Sequence, residues 1–219
     1  MDVRHRFDLV PIGLDIMHVY LHLPLKILCA LCLFCGPCGF LSPASAQAGR
    51  VIVVITTGFG EIEAVLDSAR VPVTTAHFLK YVDEGLYDGG EFYWTVTMQN
   101  QPDNEIRVEV VQAGINPSFA DRKHLMIPLE RTRDTGLKHT DGTMSIGRTG
   151  VDTATYRFFI CIGDQPELDF GGKRNPDSQG FAAFGQVTRG MDIIRKIQRS
   201  SHKGQTLTPT IKITRIVRQ

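Results

Sequence analysis

Apolar positions along this chain follow two regimes. Ile27 to Leu41 (ILCALCLFCGPCGFL) is one uninterrupted apolar run, whereas from Arg50 onward apolar residues come in short β-branched or alternating stretches separated by turn signals. Val51 to Thr56 reads as a strand, Thr57-Gly58-Phe59-Gly60 as a turn, and Ile62, Ala64 and Leu66 then alternate with Glu61, Glu63 and Val65, so the segment predicts an opening hairpin. Further strand-like runs lie at Glu91–Thr97, Ile106–Val111, Thr143–Ile146, Phe158–Ile162 and Thr210–Val217. Two segments carry helical spacing instead. Pro72 to Glu84 starts with proline in its first turn, spaces Ala76, Leu79 and Val82 by three, and ends at Gly85; Met191 to Gln198 follows Gly190 and gathers Ile193, Ile194 and Ile197 on one face. About eight strands with two helices predict a mainly β fold, a small closed barrel filled by its own side chains, with a helix across its opening.

The first regime reads as a targeting segment. Lys26 precedes the apolar run and Ser42-Pro43-Ala44-Ser45-Ala46-Gln47-Ala48 follows it, with small-x-small cleavage options at Ala44–Ala46 and Ala46–Ala48. A membrane-spanning helix needs about 20 apolar residues, more than this run supplies. Residues 1–48 are therefore expected to be a signal peptide and 49–219 the working domain, exported and periplasmic, with no membrane attachment after cleavage. The stretch before Met17 is long for such a leader and holds Asp2, Asp8 and Asp15, which makes Met17 the expected true start.

Four of the five cysteines, Cys29, Cys32, Cys35 and Cys38, lie inside the leader. Cys35-Gly36-Pro37-Cys38 matches a thiol-redox motif, and a thiol oxidoreductase is the function it would imply. That chemistry needs a preceding strand and a βαβ context, neither of which is present in the pattern, and the motif would leave with the leader. Only Cys161 stays, expected as a small buried hydrophobe.

Charge narrows the remaining classes. The formal net charge is +1, and the leader holds three basic and three acidic residues, so its removal leaves the balance unchanged. Nucleic-acid binding calls for a basic face and is not expected. His77, His124, His139 and His202 lack metal-ligand spacing and are expected at the surface or in loops, with no metal and no cofactor. Gly142, Gly147 and Gly150 read as turn glycines, since no Lys-Ser/Thr follows at phosphate-loop spacing. The domain is expected to be monomeric.

Specific motifs then carry a resemblance. Tyr87-Asp88-Gly89-Gly90-Glu91-Phe92-Tyr93-Trp94-Thr95-Val96, Val110-Val111-Gln112-Ala113-Gly114, Gly142-Thr143-Met144-Ser145-Ile146-Gly147-Arg148, Phe158-Phe159-Ile160-Cys161, Leu168-Asp169, Phe184-Gly185-Gln186-Val187 and Gly190-Met191-Asp192 occur in order. Together they resemble the cyclophilin-type peptidyl-prolyl isomerases, nearest to exported bacterial members, with an added polar loop at Gln99 to Glu105. The resemblance implies an eight-stranded antiparallel barrel capped by two α-helices, needing no cofactor, that isomerises X-Pro bonds of proline-containing polypeptides and so assists the folding of exported proteins. Rotation about such bonds meets a barrier of about 18–20 kcal/mol because it breaks amide resonance.

Carried over residue by residue, the resemblance makes Phe159 the floor of a proline pocket, Leu168 and Val110 its walls, Gln112 a grip on substrate backbone and Gly147 a backbone partner for the peptide. Phe92 is expected in the core. The departures fall at the same site. Trp94 stands where the family has its catalytic arginine, Glu109 where it has a pocket phenylalanine, Arg157 for a substrate-facing glutamine, Phe181 for the rim histidine and Glu167 for a rim aromatic. Trp94 offers one neutral N–H where arginine offers five donors and a permanent charge. Arg157 is a candidate substitute, with Arg148 and Arg107 nearby. Two functions follow: an isomerase of reduced rate, or a catalytically impaired proline-binding chaperone or scaffold.

Overall fold

The computed structural model describes residues 49–122 and 125–219. The expected signal peptide at 1–48, with Met17 and the four leader cysteines, lies outside the described residues, as does His124.

The first hairpin forms as the pattern predicts, β1 (Arg50–Thr57) pairing antiparallel with β2 (Gly60–Asp67). Helix α1 (Pro72–Asp83) follows and buries Phe78, Leu79 and Val82. Next come β3 (Glu91–Val96), β4 (Val110–Gly114), a four-residue helix α2 (Thr132–Thr135), β5 (Thr143–Ile146), β6 (Phe158–Cys161), β7 (Ala182–Arg189), α3 (Met191–Gln198), the two-residue β8 (His202–Lys203) and β9 (Thr206–Arg218). The sheet runs β1-β2-β7-β5-β6-β4-β3-β9 and closes through β1–β9, every pairing antiparallel, while β8 hangs on β9 as a short flap. Eight strands thus close the barrel.

Two strands differ from the sequence pattern. The alternation does not single out Ala182–Arg189, because two alanines and Gly185 dilute it. Gly185 is required there: a Cβ would come within 2.7 Å of the Leu66 side chain and 3.1 Å of the Val65 carbonyl across the β2–β7 pair. The run expected as a strand from Ile106 to Val111 pairs only from Val110, and extends to Gly114 instead. The reason lies in the polar loop, where Gln101 is buried and its side-chain amide stands in for a neighbouring strand. Its Nε2 donates to the carbonyls of Thr97 (2.7 Å) and Val108 (2.8 Å), while its Oε1 accepts from the Val108 N–H at 3.4 Å.

Inside the barrel, Phe158 meets Phe78, Tyr87 and Phe92 edge-on at ring separations of 5.4, 5.4 and 6.2 Å. Ile55, Ile62, Leu66, Val111, Met144, Ile160, Ile194 and Ile213 complete this core. A second, smaller cluster sits on the outside of the same sheet: Val96, Val108, Val110, Phe159, Cys161 and Leu168, with Trp94 and Phe181 against it. Strand alternation sorts the residues, since successive side chains point to opposite faces. On β6 Phe158 points in and Phe159 out; on β4 Val111 and Ala113 point in, Val110 and Gln112 out. On β3 the alternation is broken once. Phe92 pairs with Ala113 and Trp94 with Gln112, so Tyr93 is an extra residue in a β-bulge. The bulge turns Trp94 onto the outer face, whereas unbroken alternation would send it inward beside Phe92.

Of the histidines expected at the surface or in loops, His77 is buried on helix α1 and His139 lies in a loop but is buried. His77 Nε2 lies 2.9 Å from the Thr155 carbonyl. His139 stacks on Phe159 at 6.1 Å between ring centres, with Nδ1 2.8 Å from Asp169 and Nε2 3.0 Å from the Ser145 hydroxyl, which donates to Ala182 O at 2.9 Å. Histidine is excluded from apolar interiors only when its polar atoms lack partners, and here both nitrogens of His139 and Nε2 of His77 have one. Burial by itself would raise the Asp169 carboxyl; its hydrogen bonds from His139, with the His139 and Lys138 charges, outweigh burial and hold it below the ordinary value.

Both polar networks behind the outer cluster carry measurable stability. Gln101→Ala strips the buried Val108 groups of their partners and is expected to cost about 2 kcal/mol in urea unfolding. Because the Asp169 carboxyl is depressed in the folded state, its contribution is complete above about pH 4, the unfolded value, and fades as pH falls through the lower folded value. Asp169→Asn is therefore expected to lower stability at pH 7 by about 2 kcal/mol and to flatten the acid limb of the stability curve.

Candidate functional site

The outer cluster forms the floor of an open cavity of about 410 Å³, lined by Trp94, Val110, Gln112, Gly147, Arg157, Phe159, Leu168 and Phe181 of the site residues expected from the sequence, but not by Glu109 or Glu167. Its base is built on three adjacent strands. The cross-strand pairs Trp94–Gln112 and Gln112–Phe159 form one row, and Val96–Val110 and Val110–Cys161 form the next. Phe181 meets Phe159 edge-on at 5.2 Å, and Leu168, in the connection after β6, closes the same side. Cys161 lies beneath this floor as a buried free thiol that burial raises well above its ordinary value, so it acts as packing. An apolar recess bounded by aromatic faces and aliphatic walls accepts a compact ring without demanding a polar partner.

Polar groups edge the recess on one side. Gln112 donates from Nε2 to the Tyr93 hydroxyl, a contact possible because the bulge frees Tyr93 from the ladder. Burial raises the Tyr93 phenol; the Gln112 hydrogen bond and the Arg157 charge oppose this without cancelling it. Gly147 donates its N–H to the Arg157 carbonyl at 2.7 Å, and a Cβ on Gly147 would meet Arg157 Cβ at 3.2 Å, so the two chains run unusually close. The Arg157 guanidinium lies 5.6 Å over the Tyr156 ring and has no carboxylate partner among the described residues.

The other arginines considered from the sequence are engaged elsewhere. Arg148 lines the cavity, but its guanidinium is spanned by Asp177 at 2.7 and 2.8 Å and donates to Gly180 O at 2.7 Å. The Arg148 hydrogen bonds pull the Asp177 carboxyl down to about 2. Arg148 thereby supports Phe181, over whose ring it sits at 5.2 Å. Arg107 donates to the carbonyls of Asn104 and Met98 in the polar loop.

Two expected intrusions into the pocket do not occur. Glu109 turns away and accepts from Gln198 on α3 at 3.1 Å; the neighbouring Val108, fixed by Gln101, supplies the apolar wall. Glu167 accepts the Lys173 N–H at 2.7 Å and so braces its own loop. Sequence reasoning missed Val108, Tyr93 and Arg174. Arg174 lines the cavity and donates from Nη1 to Ile106 O at 2.7 Å, linking two long loops. Loop residues of this kind carry no periodic signal. Among the described residues no group of His, Cys, Asp and Glu has the geometry to hold a metal ion.

Comparison with known proteins agrees with this geometry. Residues 52–218 match the family model described as cyclophilin type peptidyl-prolyl cis-trans isomerase/CLD. The chain is 35% identical over 159 residues to peptidyl-prolyl cis-trans isomerase A of Dickeya dadantii, covering 72% of this chain and 76% of that protein. It is 30% identical over 161 residues to a peptidyl-prolyl cis-trans isomerase of Streptomyces antibioticus, covering 72% and 90%. A solved cyclophilin type isomerase of Cryptosporidium parvum superposes with a TM-score of 0.62 at 19% identity, over 78% of this chain and 98% of that one, a likeness of fold. With its closed barrel, its outer apolar recess and a family match spanning the described domain, this chain belongs to the cyclophilin-type peptidyl-prolyl cis-trans isomerases.

Proposed function

We propose that this isomerase acts on X-Pro bonds of exported polypeptides at a rate limited by Trp94. The observation that carries the reading is the outer recess, in which an apolar floor and a polar edge stand side by side. Phe159, Val110, Leu168 and Phe181 take up the proline ring. Gln112 and the backbone at Gly147 hold the flanking chain, so that the amide is gripped on both sides of the bond that turns.

Catalysis requires something stronger in the twisted state than in the planar one. As the amide twists, the prolyl nitrogen loses its resonance and becomes a better acceptor, and a cationic donor beside it lowers the barrier. Trp94 brings a neutral N–H on a bulky ring to that place. Arg157 is the permanent charge on the polar edge without an internal carboxylate, and it supplies the donor in this reading. A guanidinium displaced from β3 to the start of β6 stabilises the twisted state less well than one in the family position, because such stabilisation falls quickly with misplacement.

The leader supports the cellular setting. An apolar run with small residues after it directs export, and clients there are newly translocated chains whose uncatalysed isomerisation takes tens to hundreds of seconds. The mature protein recovered from the exported fraction is expected to begin near residue 49 by mass; a mass retaining the apolar run contradicts this.

Restoring the cation separates an enzyme from a binding module. Trp94→Arg is expected to raise kcat/KM on an Ala-Pro peptide by about 10²-fold, the scale of one preorganised donor. Arg157→Gln is expected to lower it at least tenfold with a smaller change in peptide affinity. If Trp94→Arg leaves turnover unchanged, position 94 is not where the donor acts. If the wild-type chain binds the peptide and never isomerises it, the scaffold reading prevails.

A further inference from the structure

The charge lining of the recess points beyond proline itself. Three arginines, Arg148, Arg157 and Arg174, line the cavity, and no described aspartate, glutamate or lysine does. Their situations differ. Arg148 is neutralised by Asp177, and Arg157 lies exposed on the polar edge. Arg174 is half-buried, and among the described residues its guanidinium makes one hydrogen bond, to a neutral carbonyl, Ile106 O at 2.7 Å. No described carboxylate pairs with it. Even Glu167, seven residues before it, is held on the Lys173 N–H. Burial pulls the Arg174 guanidinium below its ordinary value, as expected for a cation that has lost water and gained no counter-charge.

A partly desolvated guanidinium with spare donors is poorly served by the free protein and well served by an incoming carboxylate. Arginine can take such a group with two parallel N–H bonds. Arg174 is also tethered at both ends. Its backbone N–H donates to Glu167 O at 3.2 Å, and Nη1 is fixed on the loop that carries Val108. A tethered side chain loses little freedom on binding. The Arg174 backbone is held on Glu167, next in sequence to Leu168, whose carbonyl accepts the Phe181 N–H at 2.9 Å, and both Leu168 and Phe181 are apolar walls; a residue adjacent to the seated proline is therefore the one placed to carry a carboxylate toward Arg174.

Resting on the isomerase reading above, we infer that Arg174 selects substrates: the recess prefers proline segments that carry an aspartate or glutamate next to the proline. Arg174 acts here as a specificity residue, distinct from the donor to the prolyl nitrogen.

Blocked tetrapeptides with Glu, Gln or Lys immediately before or after proline test this, with direct binding and turnover measured separately. In one of the two positions the Glu peptide is expected to bind about fivefold more tightly than its Gln counterpart, the yield of one ion pair at a partly exposed site, and the Lys peptide more weakly. The difference should shrink in 0.5 M salt, a salt level far above physiological screening (~8 Å Debye length). Arg174→Gln should abolish the Glu-over-Gln ratio, Arg174→Lys should keep most of it, and Arg174→Glu should turn preference toward Lys. Equal affinities for Glu and Gln peptides at both positions would overturn the inference, as would a preference that survives Arg174→Gln. A chain that prefers acidic peptides in binding yet isomerises none sustains the selectivity and sinks the enzymatic reading. Normal turnover without charge preference does the reverse.

Discussion

The bulge at Tyr93 decides which side of the barrel each part of β3 serves. Before it, Phe92 points inward and packs on Phe158; after it, Trp94 and Val96 point outward beside Gln112 and Val110. A strand has only two faces, and one inserted residue exchanges them. The same insertion releases Tyr93 to take the Gln112 amide. The surface proposed to bind substrate is therefore the back of the core: the sheet that buries Phe158 on one side presents Phe159 on the other. Any change that disturbs packing inside is felt at the floor of the recess, because tightly packed interiors have little slack.

Around that sheet, polar networks do the positioning. Gln101 replaces a strand and holds Val108 in the wall. His139, Asp169 and Ser145 stand behind Phe159, and Arg148 with Asp177 stands behind Phe181. Each is satisfied internally, as buried polar groups must be. The chemical consequence is a division of labour among the arginines. Arg148 is structural because its charge is spent on Asp177, and the charges left for a substrate are Arg157 and Arg174.

Much of the fold is legible in the sequence because alternation and turn residues are local signals. The β1–β2 hairpin and both long helices follow from them, while the outward sense of Phe159 came from the family resemblance. Family resemblance placed the site residues, and they do share one cavity, Trp94 included. What the pattern does not show is fixed by side-chain hydrogen bonds. Ile106–Glu109 looks like a strand by composition, but the side chain of Gln101, in the preceding polar loop, takes the hydrogen bonds of Val108; His139 does lie in a loop, but Ser145 and the more distant Asp169 give both its ring nitrogens partners and so let it be buried. Glu109 and Glu167, expected at pocket and rim positions, turn away from the recess, since partners on α3 and in the next turn capture them. Side-chain contacts made by loop residues leave no periodic trace whether they are local or distant, and Arg174, whose partner Ile106 lies 68 residues away, was missed for the same reason.

The account rests on the outer face of β3, β4 and β6 being where proline segments bind. An amide chemical-shift titration of the mature domain with a short proline peptide addresses this without depending on turnover. Shifts are expected to concentrate at Trp94, Gln112, Gly147, Phe159 and Leu168, with the β1–β2 hairpin unmoved. Saturable binding that instead moves the hollow lined by Arg50, Val65 and Lys138 elsewhere on the barrel's outer surface, or leaves Gln112 and Phe159 unshifted, would contradict it.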